Sequence, residues 1–367
     1  MQVPSTFNAI QGKNKKIPIG NLTIFATQRM FMSRNPDITV VLPFYNAEST
    51  LNRAIESLHQ QDFKDFECIL VDNNSTDRST EIALHWVKAD GRFRVVQEHR
   101  QGVMFASNRG CAEARANIIA RMDADDWAYP YRLRLQYEFL NKHPGYGAVA
   151  GLVRHVGDPE TTGGFKRFVE WSNTLITYEQ ILSRRFIEAP IVNPTAMWRK
   201  ETMESHGLYL QGDFPEDYEM WLRWLDRGVK IAKVPEIVLD WFDSETRLTR
   251  TDKIYSDRAF YEIKSKYLAS WLAKHNPFHP EVSVWGASRI SRRRARILET
   301  QGILIGCYID TKKSRQIESE VIYYEDLSKA GEQFILTYIR QMDNRERIQK
   351  FLEERGYVEG LSYMLVS

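Results

Sequence analysis

The sequence predicts an α/β protein in two unequal parts, on three observations. Short β-branched or apolar runs alternate with helical periods four times between residues 38 and 122. Polar residues gather just past the ends of those runs. The alternation then restarts after a proline-blocked segment, HNPFHP at 275–280. Such alternation favours parallel strands covered by helices. A length of 367 residues also exceeds one ordinary domain.

Each element has its own signal. ITVVL at 38–42 is a strand ended by Pro43. Leu51, Ala54, Ile55 and Leu58 then recur at i, i+3, i+4, i+7, one face of a helix. Residues 66–71 form a second strand ending at Asp72, followed by helical material over 76–87. A strand at 93–97, a helix over 102–114 and a strand at 117–122 complete the series. Pro130 opens a further helix, 158–164 reads as a loop, and a helix is expected over 217–227 within the mixed stretch 190–242. Residues 252–274 read as one long helix. Beyond 280 come a strand at 282–285, a helix at 289–299 and a strand at 303–309 followed by Asp310. The expected division is therefore an N-terminal extension (1–36), a larger α/β domain (37–250), a helix and linker (251–280) and a smaller α/β domain (281–367).

Composition excludes several classes. Hydrophobic residues are 43% and charged residues 27%, so there is enough apolar material for a core and disorder does not dominate. Fifty basic side chains nearly balance 48 acidic ones, and a net charge of +2 gives no reason to expect nucleic acid. Cys68, Cys111 and Cys307 lie far apart with no CxxC, which argues against a disulfide framework or a zinc knuckle and for a reducing compartment. No run of about 18 apolar residues calls for a membrane span. Lys13, Lys15 and Lys16 precede a diluted apolar stretch, 17–26, which only weakly resembles a signal peptide; a loose tail or a mis-assigned start is the expectation for the first 30 residues or so.

Parallel α/β sheets bind ligands beyond the C-terminal strand ends. The residues there are Tyr45 and Asn46 after the first strand, Asp72 and Asn73 after the second, and Asp123 and Asp125 after the fourth. Asp123-Ala-Asp-Asp126 is the sharpest motif. Carboxylates at alternate positions converge on a hard cation, and Mg2+ or Mn2+ takes carboxylate and phosphate oxygens. An acidic loop that merely caps the next helix is the plainer alternative. Glu216-Asp217 opens another helix, where acids serve equally as caps or as a general base aimed into a cleft.

Four segments together, ITVVLPFYNAESTLNRAIESLHQQDFKDFECILVDNNSTDRS, ARMDADDWAYPYRL, NPTAMWRK and FPEDYEMWLR, resemble the family-2 glycosyltransferases in order and spacing, over about residues 37–250. The resemblance implies a GT-A fold, a Rossmann-like mixed sheet flanked by helices, and inverting transfer from a nucleotide-diphosphate sugar, UDP favoured, to a hydroxyl of a glycan or lipid-linked acceptor. It implies Mn2+ or Mg2+ held directly by Asp125, with Asp123 nearer the ribose, and Asp217 as the base beside Glu216. Pro43, Tyr45, Asn46, Glu48, Asp72 and Asn73 would bind the donor. Asn73 replaces a common second aspartate but still offers an oxygen to a uracil N–H; GDP and dTDP are correspondingly harder to exclude. Ser107 stands where many relatives have arginine, so Arg247 and Arg250 become the candidates for the diphosphate. Surface-polysaccharide biosynthesis, a cytoplasmic location with room for peripheral membrane contact, and a homo-oligomer are compatible with this.

Trp171, Trp198, Trp221, Trp224 and Trp241 are expected mostly in the core, with one or two left for an acceptor groove. In the smaller domain, VSVWGAS resembles the start of a Rossmann unit, with Asp310 where a ribose-binding acid would stand. Ser288 and Ser291 occupy positions where a dinucleotide loop needs glycine, so a degenerate module is expected. Arg289, Arg292, Arg293, Arg294 and Arg296 crowd its first helix, most simply as a solvated face. Two rival enzyme readings remain. A sugar nucleotidyltransferase would need a glycine-rich first loop in place of PFYNAE. An NAD-dependent sugar-modifying enzyme would need a complete loop at 286–291.

Overall fold

Strand β1 (Ile38–Phe44) is buried along its whole length and is the hub of the larger sheet. It pairs in parallel with β2 (Phe66–Asp72) and β4 (Ile118–Arg121), placing Val40 between Cys68 and Ala120. β3 (Phe93–Gln97) extends the sheet beyond β2. Continuous apolar runs, rather than alternation, suit strands covered on both faces. Helix α1 (Leu51–His59) buries the predicted stripe of Leu51, Ala54, Ile55 and Leu58. Full burial of each large aliphatic there contributes about 1.5–3 kcal/mol, so a charge at Leu58 would unseat the helix. On the opposite face, α3 (Val103–Ala112) approaches β1 so closely that a Cβ on Gly110 would sit 2.4 Å from Val41 Cγ1. Helix α2 (Ser79–Ala89) follows β2.

The computed structural model describes residues 35–157, 163–243, 247–312 and 319–367; the expected N-terminal extension and the loop at 158–164 fall largely outside them. Beyond β4 come β5 (Trp127–Ala128), α4 (Arg132–Lys142), β6 (Ala148–Val156), α5 (Gly163–Asn173) and α6 (Tyr178–Arg184). They are followed by β7 (Met197–Arg199), α7 (Lys200–His206), α8 (Glu216–Asp226) and β8 (Ile231–Phe242). The strand order is β3-β2-β1-β4-β7-β6-β8-β5. β7 runs antiparallel between β4 and β6, which makes the sheet mixed. The two-residue β5 pairs with Leu239 and Asp240 of β8. That pairing stitches the acidic loop after β4 to the far end of the sheet.

After α9 (Leu248–Thr251) and the long α10 (Asp257–His275) a second sheet forms. It contains β9 (Glu281–Trp285), β10 (Leu304–Asp310), β11 (Val321–Tyr323), β12 (Ile335–Thr337) and β13 (Tyr363–Leu365), with α11 (Arg289–Glu299) and α12 (Met342–Glu354). All its pairings are parallel, in the order β11-β10-β9-β12-β13. One apolar cluster joins the two parts: Tyr218 and Leu222 of α8, Leu268 and Leu272 of α10, Val284 of β9 and Leu336 of β12.

Two expected helices start later than their periodicity suggests. Asp77 spends its carboxylate on the N–H groups of Ser79 and Glu48, so α2 begins at Ser79 rather than 76. Asp252 and Ser256 accept from Ile254 and Ala259 N–H, which places α10's start at Asp257 rather than 252. Short polar side chains that bond locally end helical periods that an apolar count would extend.

Candidate active site

The strand ends of the larger sheet open into one cleft of about 2390 Å³. Pro43, Tyr45, Asn46, Asn73, Asp123, Asp125, Glu216, Asp217, Trp241 and Arg247 all line it. Sequence positions 43 to 247 thus converge on a single cavity. Glu48, Asp72 and Arg250 are not part of its wall, and each is engaged elsewhere. Glu48 Oε2 accepts from the backbone and Nε of Arg78. Asp72, nearly fully buried, accepts from Ser75 N–H at 2.9 Å and Thr80 Oγ1 at 2.7 Å. Arg250 pairs with Asp243 at 2.8 Å and lies over Phe165.

The first two strand-end loops are laced together. Asn46 and Asn74 have positive φ, 46° and 66°, a conformation asparagine tolerates better than most residues. Asn46 Oδ1 accepts from Thr76 N–H, and Ser75 and Ser79 hydroxyls accept from the N–H groups of Asn46 and Ala47. Tyr45 is left half-exposed at the cleft mouth. Asn73 is buried, and its amide donates to the carbonyls of Glu98 and Arg100 while its oxygen accepts from Gly102 N–H at 2.7 Å. An aspartate could not donate those two bonds. Asn73 therefore shapes the 98–102 wall, and its oxygen also accepts a longer bond from Gln101 Nε2 at 3.5 Å.

Asp123, Asp125 and Asp126 bring carboxylate oxygens within 4.8 Å of one another. Burial, and then the neighbouring Asp123, push the Asp125 carboxyl up, partly offset by Arg247 and Arg53. Asp126 is pushed well up by burial and then by Asp125 and Asp123. Its Oδ1 accepts from Phe242 N–H at 3.0 Å, but its buried Oδ2 has no partner. A shielded carboxylate oxygen without a donor, beside two more acids, fits a hard divalent cation. Around this loop, Arg121 pairs with Asp123 at 2.7 Å from a fully buried position. Arg53 donates to the Asp125 carbonyl and lies 3.5 Å over the Phe242 ring.

Across the cleft, Glu216 and Asp217 open α8. Tyr255 donates its hydroxyl to Glu216 Oε2 at 2.7 Å, and Asp217 Oδ1 accepts from Tyr218 N–H at 2.7 Å. Burial, and then the adjacent Glu216, push the Asp217 carboxyl up to about 7. The helix N-terminus works against that rise, and burial outweighs it. Arg247 lies 3.9 Å over the Trp241 ring.

Residues 39–207 match the model of the family described as Glycosyl transferase family 2. The chain carries a family-2 glycosyltransferase domain. Among proteins similar to this transferase is the amylovoran biosynthesis glycosyltransferase AmsE of Erwinia amylovora, 27% identical over 55% of this chain and 74% of that protein. Another is the O-antigen biosynthesis glycosyltransferase WbnJ of Escherichia coli, 26% identical over 65% of this chain and 89% of that one. The structure of S. aureus TarS 1-349 in complex with UDP-GlcNAc superposes with a TM-score of 0.52 at 19% identity, covering 71% of this chain and 70% of that one. That likeness establishes the GT-A fold. The family match ends at 207, and the structure sets Asp217 in the lining of the same cleft as Asp123 and Asp125.

Sequence reasoning included Asp126 in the acidic motif without giving it a ligand role, and passed over Arg53, Arg121 and Tyr255. Only Arg121 left a trace, as an arginine closing the apolar strand IIAR. Trp198, Trp221 and Trp224 are fully buried in edge-to-face contact, in line with a mostly core role, whereas Trp171 and Trp241 line the cleft. In the second domain Asp310 turns inward to accept from Ala287 N–H at 3.1 Å. Ser291 Oγ donates to the Tyr338 carbonyl and, with Ile339, fills the space beside Gly286. The approach a pyrophosphate needs is thus already occupied.

Proposed function

We propose that the enzyme transfers a sugar with inversion from a nucleotide-diphosphate donor, UDP favoured, to a hydroxyl of a glycan acceptor in surface-polysaccharide synthesis. The observation that carries this reading is the meeting of an acidic triad and a raised carboxyl, Asp217, in one cleft. The relatives named above point to polysaccharide synthesis as the setting. Three free cysteines suit a reducing, cytoplasmic location, and no helix among the described residues is long and apolar enough to cross a membrane.

Asp125, Asp123 and Asp126 would hold Mg2+ or Mn2+, which when bound neutralises charge on the departing diphosphate. The chain's own groups do the rest. Asp217 accepts the proton of the attacking hydroxyl while the new bond forms at the anomeric carbon. The bond to the diphosphate breaks with its electron pair, so a single displacement inverts the centre and needs no protein nucleophile. With Oδ1 held by Tyr218 N–H, Oδ2 would be the oxygen that takes the acceptor's proton. A carboxyl raised to about 7 is a stronger base than a free aspartate and is still substantially ionised near neutrality. Tyr255 fixes Glu216, whose charge sustains that rise. Arg247, beside Asp125 and stacked on Trp241, supplies a diphosphate contact where Ser107 leaves none.

A thermal-shift panel of UDP-, GDP- and dTDP-sugars with and without Mn2+ tests this, because a ligand of the native state raises its apparent stability. Metal-dependent stabilisation by one nucleotide class is expected. Stabilisation by NAD alone, or by no nucleotide sugar, would overturn it.

A further inference from the structure

The cleft does not end where the donor and the reacting hydroxyl would sit. Its wall continues along α10 through Asp257, Phe260 and Tyr261 and onto the second domain at Arg340, Gln341, Asp343 and Asn344, ahead of and within the first turn of α12. Its volume of about 2390 Å³ exceeds the roughly 300–1,000 Å³ that encloses one small ligand. A nucleotide sugar therefore leaves much of it unfilled.

The second domain is fixed against the transferase part at this place. Lys264 Nζ donates to the carbonyls of Ile187 and Val366, one from each side, at 3.0 and 3.1 Å. Arg184 pairs with Glu359, and Ile187 is packed into the second domain's core with Trp285 and Tyr363. Tyr218, next to Asp217, donates to the Arg185 carbonyl at 2.7 Å and packs on Phe260. The segment that walls the cleft behind Asp217 is thus clamped between the two sheets. Meanwhile Ser291 and Ile339 crowd Gly286 in the domain's own Rossmann-like loop. What it does present to the cleft is the exposed guanidinium of Arg340, 3.8 Å from an Asp257 carboxylate oxygen, together with the exposed carboxamides of Gln341 and Asn344, the second donating to the first at 2.5 Å and leaving further polar atoms of both to solvent. Phe260, Phe214 and Trp171 line the same cleft, and planar polar groups combined with aromatic faces are the chemistry that holds sugar hydroxyls and ring faces.

We propose that the acceptor is an oligosaccharide, and that the sugars behind the reacting residue lie against the 340–344 segment, making the second domain a reader of acceptor length. This rests on the glycosyltransferase reading above. The test uses the full chain, loaded with Mn2+ and UDP, against an immobilised panel of bacterial surface glycans from one to six sugars long. The wild type should retain a subset with affinity rising over the first several sugars. The Arg340→Ala/Asn344→Ala double variant should lose at least tenfold on the longer members and nothing on the shortest. Asn344→Asp, a milder change, controls for folding, as does an unchanged melting temperature. Donor binding by thermal shift is read in parallel. If donor binding is intact but length dependence is absent, or identical in the double variant, or no glycan is held, the second-domain subsite is wrong. If the donor itself fails to bind, the failure belongs to the transferase reading.

Discussion

Replacing Asp217 by Asn tests both the chemistry and the electrostatics of the cleft. Asn keeps the shape and still accepts from Tyr218 N–H, but it cannot take a proton. Loss of a positioned general base costs about 10²–10⁴-fold in rate, or about 3–5 kcal/mol of barrier. Transfer should fall by that factor while donor affinity holds. The stability effect has the opposite sign. The Asp217 carboxyl sits at about 7 in the folded protein, against an ordinary value of 3.8. Below 3.8 it is protonated in both states. Between 3.8 and about 7 the unfolded chain ionises while the folded one keeps its proton, so stability falls as pH rises through that window and levels off above it. At 1.36 kcal/mol per pKa unit the whole window amounts to about 4 kcal/mol. Water reaching the cleft screens part of this, so Asp217→Asn should gain about 1–3 kcal/mol at pH 8 and almost nothing at pH 4. Urea melts of the metal-free protein at both pH values read this directly. A gain independent of pH would refute the electrostatic argument, and near-normal turnover would remove Asp217 from the chemistry.

Other substitutions probe the remaining parts. Asp126→Asn should weaken Mn2+ binding at least tenfold by calorimetry, because the unpartnered Oδ2 becomes an amide; unchanged affinity would take Asp126 out of the cation set. Arg247→Ala should raise the donor KM about tenfold with little effect on donor-independent properties such as the melt of the metal-free protein. Gly110→Ala should cost about 1–3 kcal/mol in urea melts, since its Cβ would strike Val41 and Val71, and no loss would mean that α3 can retreat from the sheet.

Much of this protein was determined by local sequence. The strand at 93–97 and the helix at 289–299 have the bounds their periods and flanking residues dictate, and the α1 stripe needed only helical spacing. Asp123, Asp125 and Asp217 stood out because acids at strand and helix ends are local patterns. Tertiary structure decided what those patterns could not. Asp126 became a buried, unpartnered oxygen only when β5 paired with β8, more than 100 residues later. Arg53, on the polar side of a helix read only for its apolar stripe, and Tyr255, in a short turn without a motif, reached the site through the fold. Asp72 and Glu48, which the pattern placed at the donor, each spend carboxylate oxygens on holding the loops, a use no local pattern announced. A residue's type and spacing fix which element it joins. Whether its polar atoms are spent inside the fold or left facing a ligand depends on partners distant in the chain, and only the folded contacts supply those.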